Sequence, residues 1–81
     1  MRRLDISEAF AHAIKRRRVK LGLSQEALAE KANLHPTYIG LVERSLRNPT
    51  LIAAEAMALG VGASLSELLK EAESARKSRK V

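Results

Sequence analysis

Apolar residues recur along the chain at the three- and four-residue spacing of amphipathic helices. The pattern divides into five segments, separated by residues that commonly begin or end helices. Asp5 with Glu8 forms a capping-box motif at the start of the first segment, and Gly22 follows its end. The inward-facing positions of this helix are Ile6, Phe10, Ala13, Ile14 and Leu21. Because no segment shows the pattern of a strand, the chain is predicted to be all-α with five helices.

Two short helices are predicted in the middle of the chain. Ser24 is placed to cap the second helix, and Asn33, which tolerates a left-handed backbone, is placed to end it. Pro36 suits the first position of the third helix, where no backbone N–H is needed, and His35 is expected to be its surface cap. The inward-facing positions of these two helices are Leu28, Ala32, Ile39 and Val42.

The limits of the last two helices are also predicted from capping residues. Thr50 is expected to cap the fourth helix and Gly62 to end it, and Ser64 with Glu67 forms a capping box for the fifth. Gly60 falls in the last turn of the fourth helix, where it should cost about 1 kcal/mol relative to alanine. The inward-facing positions of the fourth helix are Leu51, Ala54, Met57, Ala58 and Val61.

One domain is expected, at residues 5–72. Residues 73–81 are basic and have no apolar stripe, so they are predicted to form a frayed or disordered tail. Two roles stay open for the charges of this tail, which are non-specific contact with DNA and simple solvation.

Composition narrows the possible environments and partners. The 81 residues include no cysteine, which excludes disulfides and Cys-based zinc sites and is compatible with a reducing cytoplasm. No apolar run approaches the ~20 residues that span a bilayer, and the N-terminus lacks the apolar stretch of a signal peptide, so a cytoplasmic location is expected. The net charge of +6 attracts polyanions without distinguishing DNA, RNA and an anionic membrane.

The spacing across residues 24–44 carries the functional signal. Two short helices are joined by a short turn, with the small Ala29 where they cross, Asn33 at the turn position that needs positive φ, and Leu34 filling the corner. This arrangement presents its second helix to the major groove of DNA.

The same region carries a series of short motifs that extends into the last helix. They are GLSQ at 22–25, LA at 28–29, YI at 38–39, ER at 43–44, RNP at 47–49 and SLSELL at 64–69. Over about residues 10–70 the chain resembles the phage-repressor and Cro-like (XRE-type) helix-turn-helix family, and most of all the controller proteins of restriction–modification systems. The resemblance implies a five-helix, lambda-repressor-like domain that binds double-stranded DNA.

The resemblance also assigns residues that hold the DNA backbone. Phosphate contacts are expected at the start of the second helix and after the third, at Ser24, Gln25, Arg44, Arg47 and Asn48. The partial positive charge at a helix N-terminus fits this role. Arg18 and Glu43 are expected to form a structural ion pair between the first and third helices. The remaining charges of residues 15–20 are interpreted as a solvated face rather than a DNA-facing patch, and Arg2 and Arg3 could reach DNA without a fixed geometry.

Base reading is expected from the front of the third helix. The residues at the matching positions are Pro36, Thr37, Tyr38, Gly40 and Leu41. Pro36 and Leu41 cannot form hydrogen bonds through their side chains but could contact a thymine methyl group, and Thr37 could do either. Tyr38 is open to two roles, packing or a hydrogen bond to phosphate. Weak direct readout is therefore predicted, with more specificity from DNA shape and half-site spacing.

Exposed apolar residues on the last two helices predict a homodimer. Ile52, Leu59 and Leu69 fall off the inward stripes of these helices, and neighbouring exposed apolar residues can mark an interface. In the family the resemblance indicates, helices four and five form a two-fold dimer, which would place two recognition helices about 34 Å apart.

Two functions are compatible with these features. The first is a dimeric transcriptional regulator on a palindromic operator, and the alternative is the antitoxin of a toxin–antitoxin pair. Enzyme activity is not expected, because the serines serve as caps with no His–Asp partnership beside them. His12 and His35 make no convincing metal site, and no cofactor or small-molecule effector is expected.

Overall fold

The computed structural model describes residues 4–78, and within them it contains five helices and no strand. The helices are α1 (Ile6–Lys20), α2 (Gln25–Ala32), α3 (Pro36–Glu43), α4 (Leu51–Gly60) and α5 (Leu65–Ser78). The predicted all-α fold and the order of its five helices are confirmed. Arg2 and Arg3, for which DNA contacts were considered, lie outside the described residues.

Side-chain caps begin the helices where they were predicted. The Asp5 carboxylate accepts the Glu8 N–H at 2.8 Å, and the Glu8 carboxylate accepts the Asp5 N–H at 3.1 Å. Ser64 and Glu67 form the same reciprocal pair at 3.1 and 2.8 Å, which lowers the pKa of the Glu67 carboxyl because hydrogen bonds from Ser64 favour its charged form. Two further caps, each accepting a backbone N–H of its own helix at 3.0 Å, are Ser24 and Thr50.

The first four helices end in one common way. One or two residues after each helical segment a residue adopts a left-handed backbone, and the next N–H bonds to a carbonyl five residues earlier, at 2.9–3.0 Å. The left-handed residues are Gly22, Asn33, Ser45 and Gly62. The sequence predicted three of these ends and missed Ser45, because serine has no intrinsic preference for this conformation.

The core lies where α1, α4 and α5 meet the α2–α3 pair. Many of its residues are alanines, so the helices approach each other closely. The largest fully buried side chains are Ile14, Leu28, Ile39, Val42, Met57, Val61 and Leu68. Contacts of α3 with both α1 and α2 hold the helix that was predicted to read DNA.

Three residues predicted to face inward are exposed instead. Ile6 is the first residue of α1, Leu51 is the first of α4, and Leu21 follows the last residue of α1. Each lies at the end of a helix, beyond the neighbouring helices that cover the middle of the same stripe. The apolar pattern therefore identified the right face and overestimated its length.

The prediction of an unstructured tail from Glu73 onward is wrong for residues 73–78, since α5 continues to Ser78. Ala72 is fully buried and Ala75 and Arg76 are half-buried, so packing continues beyond the predicted end. The segment contains no glycine or proline that would stop the helix. Residues 79–81 lie outside the described part of the chain.

The position of Gly60 reflects the close approach of α4 to α2. A methyl group on Gly60 would lie 2.6 Å from Cδ1 of Leu28, well inside normal contact distance. Alanine at position 60 would therefore require Leu28 to move, so the helix preference of about 1 kcal/mol for alanine is opposed by a steric cost at this crossing. Within residues 4–78 no single helix is long and apolar enough to cross a membrane. Helices α4 and α5 reach that length and composition only when they are counted as one segment, and the angle between them is 92°.

Candidate nucleic-acid interface

The turn between α2 and α3 has the geometry that its sequence predicted. Ala29 is buried where the two helices cross, and its carbonyl accepts the N–H of Leu34 at 2.9 Å. Asn33 provides the left-handed step with φ 57°, and Leu34 packs against the core. These contacts fix the angle between the helices, so α3 is held as a rigid rod on the surface of the domain.

His35 caps the start of α3. Its Nδ1 atom accepts the Thr37 N–H at 3.1 Å, and Pro36 occupies the first helical position. The surface-cap role predicted for His35 is therefore observed.

A partly buried ionic network joins α1, α2 and α3. Arg18 binds Glu43 through two hydrogen bonds, of 2.7 and 2.9 Å, and donates a third, of 2.8 Å, to the Leu23 carbonyl. The hydrogen bonds and charge of Glu43 raise the pKa of the Arg18 guanidinium despite its desolvation. Gln25 also donates to Glu43, at 3.1 Å, so the network fixes a side chain at the front of α2.

The residues predicted to contact phosphate do not all lie together. Gln25 and Arg44 line one cleft of about 270 Å³ between the start of α2 and the face of α3. Ser24 caps α2 outside this cleft, and Arg47 and Asn48 are exposed in the loop after α3. The predicted phosphate-contacting residues are therefore divided between the start of α2, the end of α3 and the loop that follows it.

The predicted base-reading residues differ widely in exposure. Thr37 is the one exposed member of the set, while Pro36, Tyr38 and Leu41 are half-buried. Tyr38 packs against the core, which is one of the two roles left open for it. Gly40 is buried beneath the side chains of Gln25 and Arg44, so it cannot itself reach a base in this arrangement.

Sequence reasoning missed a carboxylate in the cleft. Glu26 lines it together with Gln25, Pro36, Thr37, Gly40 and Arg44. Its place directly after Gln25, in the first turn of α2, was the available signal. No group of three or more His, Cys, Asp or Glu residues within 4–78 could hold a metal ion.

The basic run at residues 15–20 is divided between structural and exposed charges. Arg17 donates to Glu71 at 3.1 Å and Arg16 lies 3.6 Å from the same carboxylate, which ties α1 to α5. Lys15 and Lys20 are exposed. Part of the run that was interpreted as a solvated face is therefore used inside the domain.

An apolar stripe lies on the outer surface of α4. Leu51, Ile52 and Leu59 are 77%, 83% and 63% exposed. Leu59 follows two helical turns after Leu51 and Ile52, which places the three within an arc of about 100° on the helix surface. Leu69, which was grouped with this set, is half-buried and packs against the core.

Comparison with known proteins identifies the family. Residues 14–68 match the family described as helix-turn-helix. The chain belongs to this family. Its members are DNA-binding transcription regulators rather than enzymes, and the predicted function class is confirmed.

The similar proteins include restriction–modification control proteins. The control protein C.SmaI of Serratia marcescens is 44% identical over 66 residues, which cover 82% of this chain and 79% of that protein. C.MunI of a Mycoplasma species is 37% identical over 70 residues, covering 85% and 95%. The structure of C.Esp1396I bound to a 25 base pair operator superposes with a TM-score of 0.75 at 33% identity, covering 86% of this chain and 96% of that one.

Proposed function

We propose that this helix-turn-helix protein is a controller of restriction–modification genes that binds a palindromic operator as a homodimer. The observation that carries the proposal is the rigid α2–α3 unit, which presents one cleft and one exposed helix face flanked by basic and amide side chains. The net charge of +6 favours association with DNA. Similarity to C.SmaI and C.MunI favours a controller over the antitoxin alternative.

The outer stripe of α4 supports the dimer. Leu51, Ile52 and Leu59 are large, adjacent and mostly exposed, and a second copy would remove their apolar surface from water. A two-fold axis beside this stripe would present two copies of α3 to successive major grooves, about 34 Å apart. Half-buried Leu69 contributes at most the edge of this interface, which shifts its centre toward α4.

The contacts divide between positioning and reading. Ser24 and Gln25 at the start of α2, with Arg47 and Asn48 in the loop, bind phosphate and set the register of the domain on DNA. Thr37 provides polar base contact. Half-buried Pro36, Tyr38 and Leu41 offer limited apolar contact to thymine methyl groups, so DNA shape and half-site spacing carry part of the specificity.

Selection of bound sites from random DNA tests the proposal. The full chain should enrich two inverted half-sites with centres about 10 base pairs apart. Thr37→Val, which keeps the shape and removes the hydroxyl, should change base preference within each half-site. Arg47→Ala should weaken binding to all sequences alike and reduce the salt dependence of affinity. Enrichment of no sequence would contradict the proposal.

The dimer has a separate test. Ile52→Glu places a charge in the apolar stripe and should produce a monomer in sedimentation experiments, with weak binding to the paired site. His12→Glu, at an exposed position on α1, adds the same single negative charge at pH 7 and is the matched control. A dimeric Ile52→Glu protein would overturn the assignment of this face. We place this activity in the cytoplasm and without a small-molecule effector.

A further inference from the structure

Gly40 creates an unusual gap in the middle of α3. Glycine weakens a helix interior, so a glycine there calls for a packing or functional reason. At Gly60 the reason is a close helix crossing. At Gly40 a methyl group would lie 3.4 Å from Oε1 of Gln25 and 3.7 Å from Nη1 of Arg44, which is ordinary contact with two polar side chains. No backbone of another helix requires glycine at this position.

The gap is occupied by the guanidinium group of Arg44. Side chains on a helix lean toward its N-terminus, so the Arg44 side chain runs back one turn over Gly40 toward Thr37. Arg44 and Thr37 both line the cleft beside α3. A larger residue at position 40 would occupy the path that the Arg44 side chain takes across the face of the helix.

The donors of Arg44 remain free for a ligand. Arg18 uses its guanidinium to bind Glu43, and Arg17 is paired with Glu71. Within residues 4–78, Arg44 has neither an ion pair nor a hydrogen bond from its side chain. Gln25 beside it is fixed by Glu43, so one wall of the cleft is already ordered before DNA arrives.

The charge of the cleft favours a base over a phosphate as that ligand. Glu26 lines the cleft with Arg44, and its carboxylate repels a phosphate more strongly than the uncharged edge of a base pair. Arg47 and Asn48 are exposed in the loop beyond α3 and are free to hold the DNA backbone. The phosphate role that the resemblance implied for Arg44 fits the observed cleft less well.

We propose that Arg44 reads a guanine in the major groove, donating hydrogen bonds to its O6 and N7 atoms, and that Gly40 provides the space for this. The inference rests on the proposed function, because it requires α3 to lie in the major groove. A planar guanidinium matches the two guanine acceptors, and this pair is the commonest specific contact between proteins and DNA. The half-site should therefore contain a guanine next to the base that Thr37 contacts.

The test compares base preferences of the full-length wild type, Arg44→Lys and Arg47→Lys, after thermal melting shows that each is folded. Lysine keeps the charge, but its tetrahedral ammonium group lacks the rigid, planar pair of donors with which arginine matches guanine O6 and N7. Arg44→Lys should reduce the preference for guanine at one position of each half-site by about 5- to 100-fold and leave other positions unchanged. Arg47→Lys is the matched control and should leave all preferences unchanged.

A second measurement alters the DNA instead of the protein. Replacing the selected guanine with 7-deazaguanine removes the N7 acceptor, and should weaken binding by the wild type more than binding by Arg44→Lys. The inference is overturned if Arg44→Lys retains the preference of the wild type, or if 7-deazaguanine has no effect on the wild type. Those results would leave the proposed function intact, whereas a wild type without sequence preference would overturn both.

Discussion

Gly60→Ala should destabilise this protein although alanine is the better helix former. The added methyl group would lie 2.6 Å from Cδ1 of Leu28, about 1 Å closer than a normal carbon–carbon contact. Leu28 is fully buried, so its neighbours oppose a change of rotamer. Lys31 and Ala32 have Cβ atoms 3.7 and 3.8 Å from the same point, which limits movement sideways.

The net effect can be worked from two opposing terms. Overpacking a core costs about 1–3 kcal/mol, and replacing glycine in a helix returns up to about 1 kcal/mol. We expect Gly60→Ala to lose about 1 kcal/mol of unfolding free energy, which corresponds to a fall in Tm of about 4–8 °C for a domain of this size. Urea denaturation followed by circular dichroism measures the change. Variants should be compared at one protein concentration, because a dimer makes apparent stability concentration-dependent.

Gly40→Ala is the matched control. The same substitution in α3 meets only ordinary contacts at 3.4 and 3.7 Å, so it should stabilise the fold by up to about 1 kcal/mol. In a Leu28→Val background the Cδ1 atom is absent, and Gly60→Ala should become neutral or stabilising. A Gly60→Ala protein as stable as Gly40→Ala, or a double-mutant cycle without coupling between positions 28 and 60, would refute the close α2–α4 crossing.

Three further predictions address other parts of the fold. Arg18→Ala should lower the free energy of unfolding by about 3 kcal/mol in urea denaturation, because it leaves Glu43, which is 7% exposed, without its ion-pair partner. A loss below about 1 kcal/mol would contradict the pair. Ser45→Gly should stabilise by about 1 kcal/mol, since serine is held at φ 60°, and an unchanged midpoint would argue against that conformation. The lowered pKa of Glu67 contributes stability that is present above the ordinary value of 4.5 and is lost as pH falls through the folded value. Glu67→Gln should therefore flatten the acid side of a plot of Tm against pH, and an unchanged slope would contradict the capping box.

Local chemistry explains which parts of the fold were predictable. Each of four caps depends on a side chain that bonds to an N–H of its own helix, so the local sequence motif is enough to predict it. These caps are Asp5, Ser24, Thr50 and Ser64. Ser45 adopts a left-handed conformation without the residue type that favours it, so the surrounding structure imposes that conformation. The extension of α5 beyond Ala72 is accompanied by half-burial of Ala75 and Arg76, which the apolar pattern of that one segment does not reveal.

The same distinction applies to the candidate site. Ala29, Asn33 and Leu34 act across the few residues of one turn, and the frame they build was predicted from spacing alone. The cleft instead depends on which neighbour fills the gap above Gly40, and the four-residue spacing to Arg44 does not decide between a side chain directed at solvent, at phosphate or along the helix. The structure shows the last of these. Gly60 and Gly40 therefore have different structural roles. Gly60 allows α2 to pack closely against α4, and Gly40 leaves room for the Arg44 side chain, which can contact DNA.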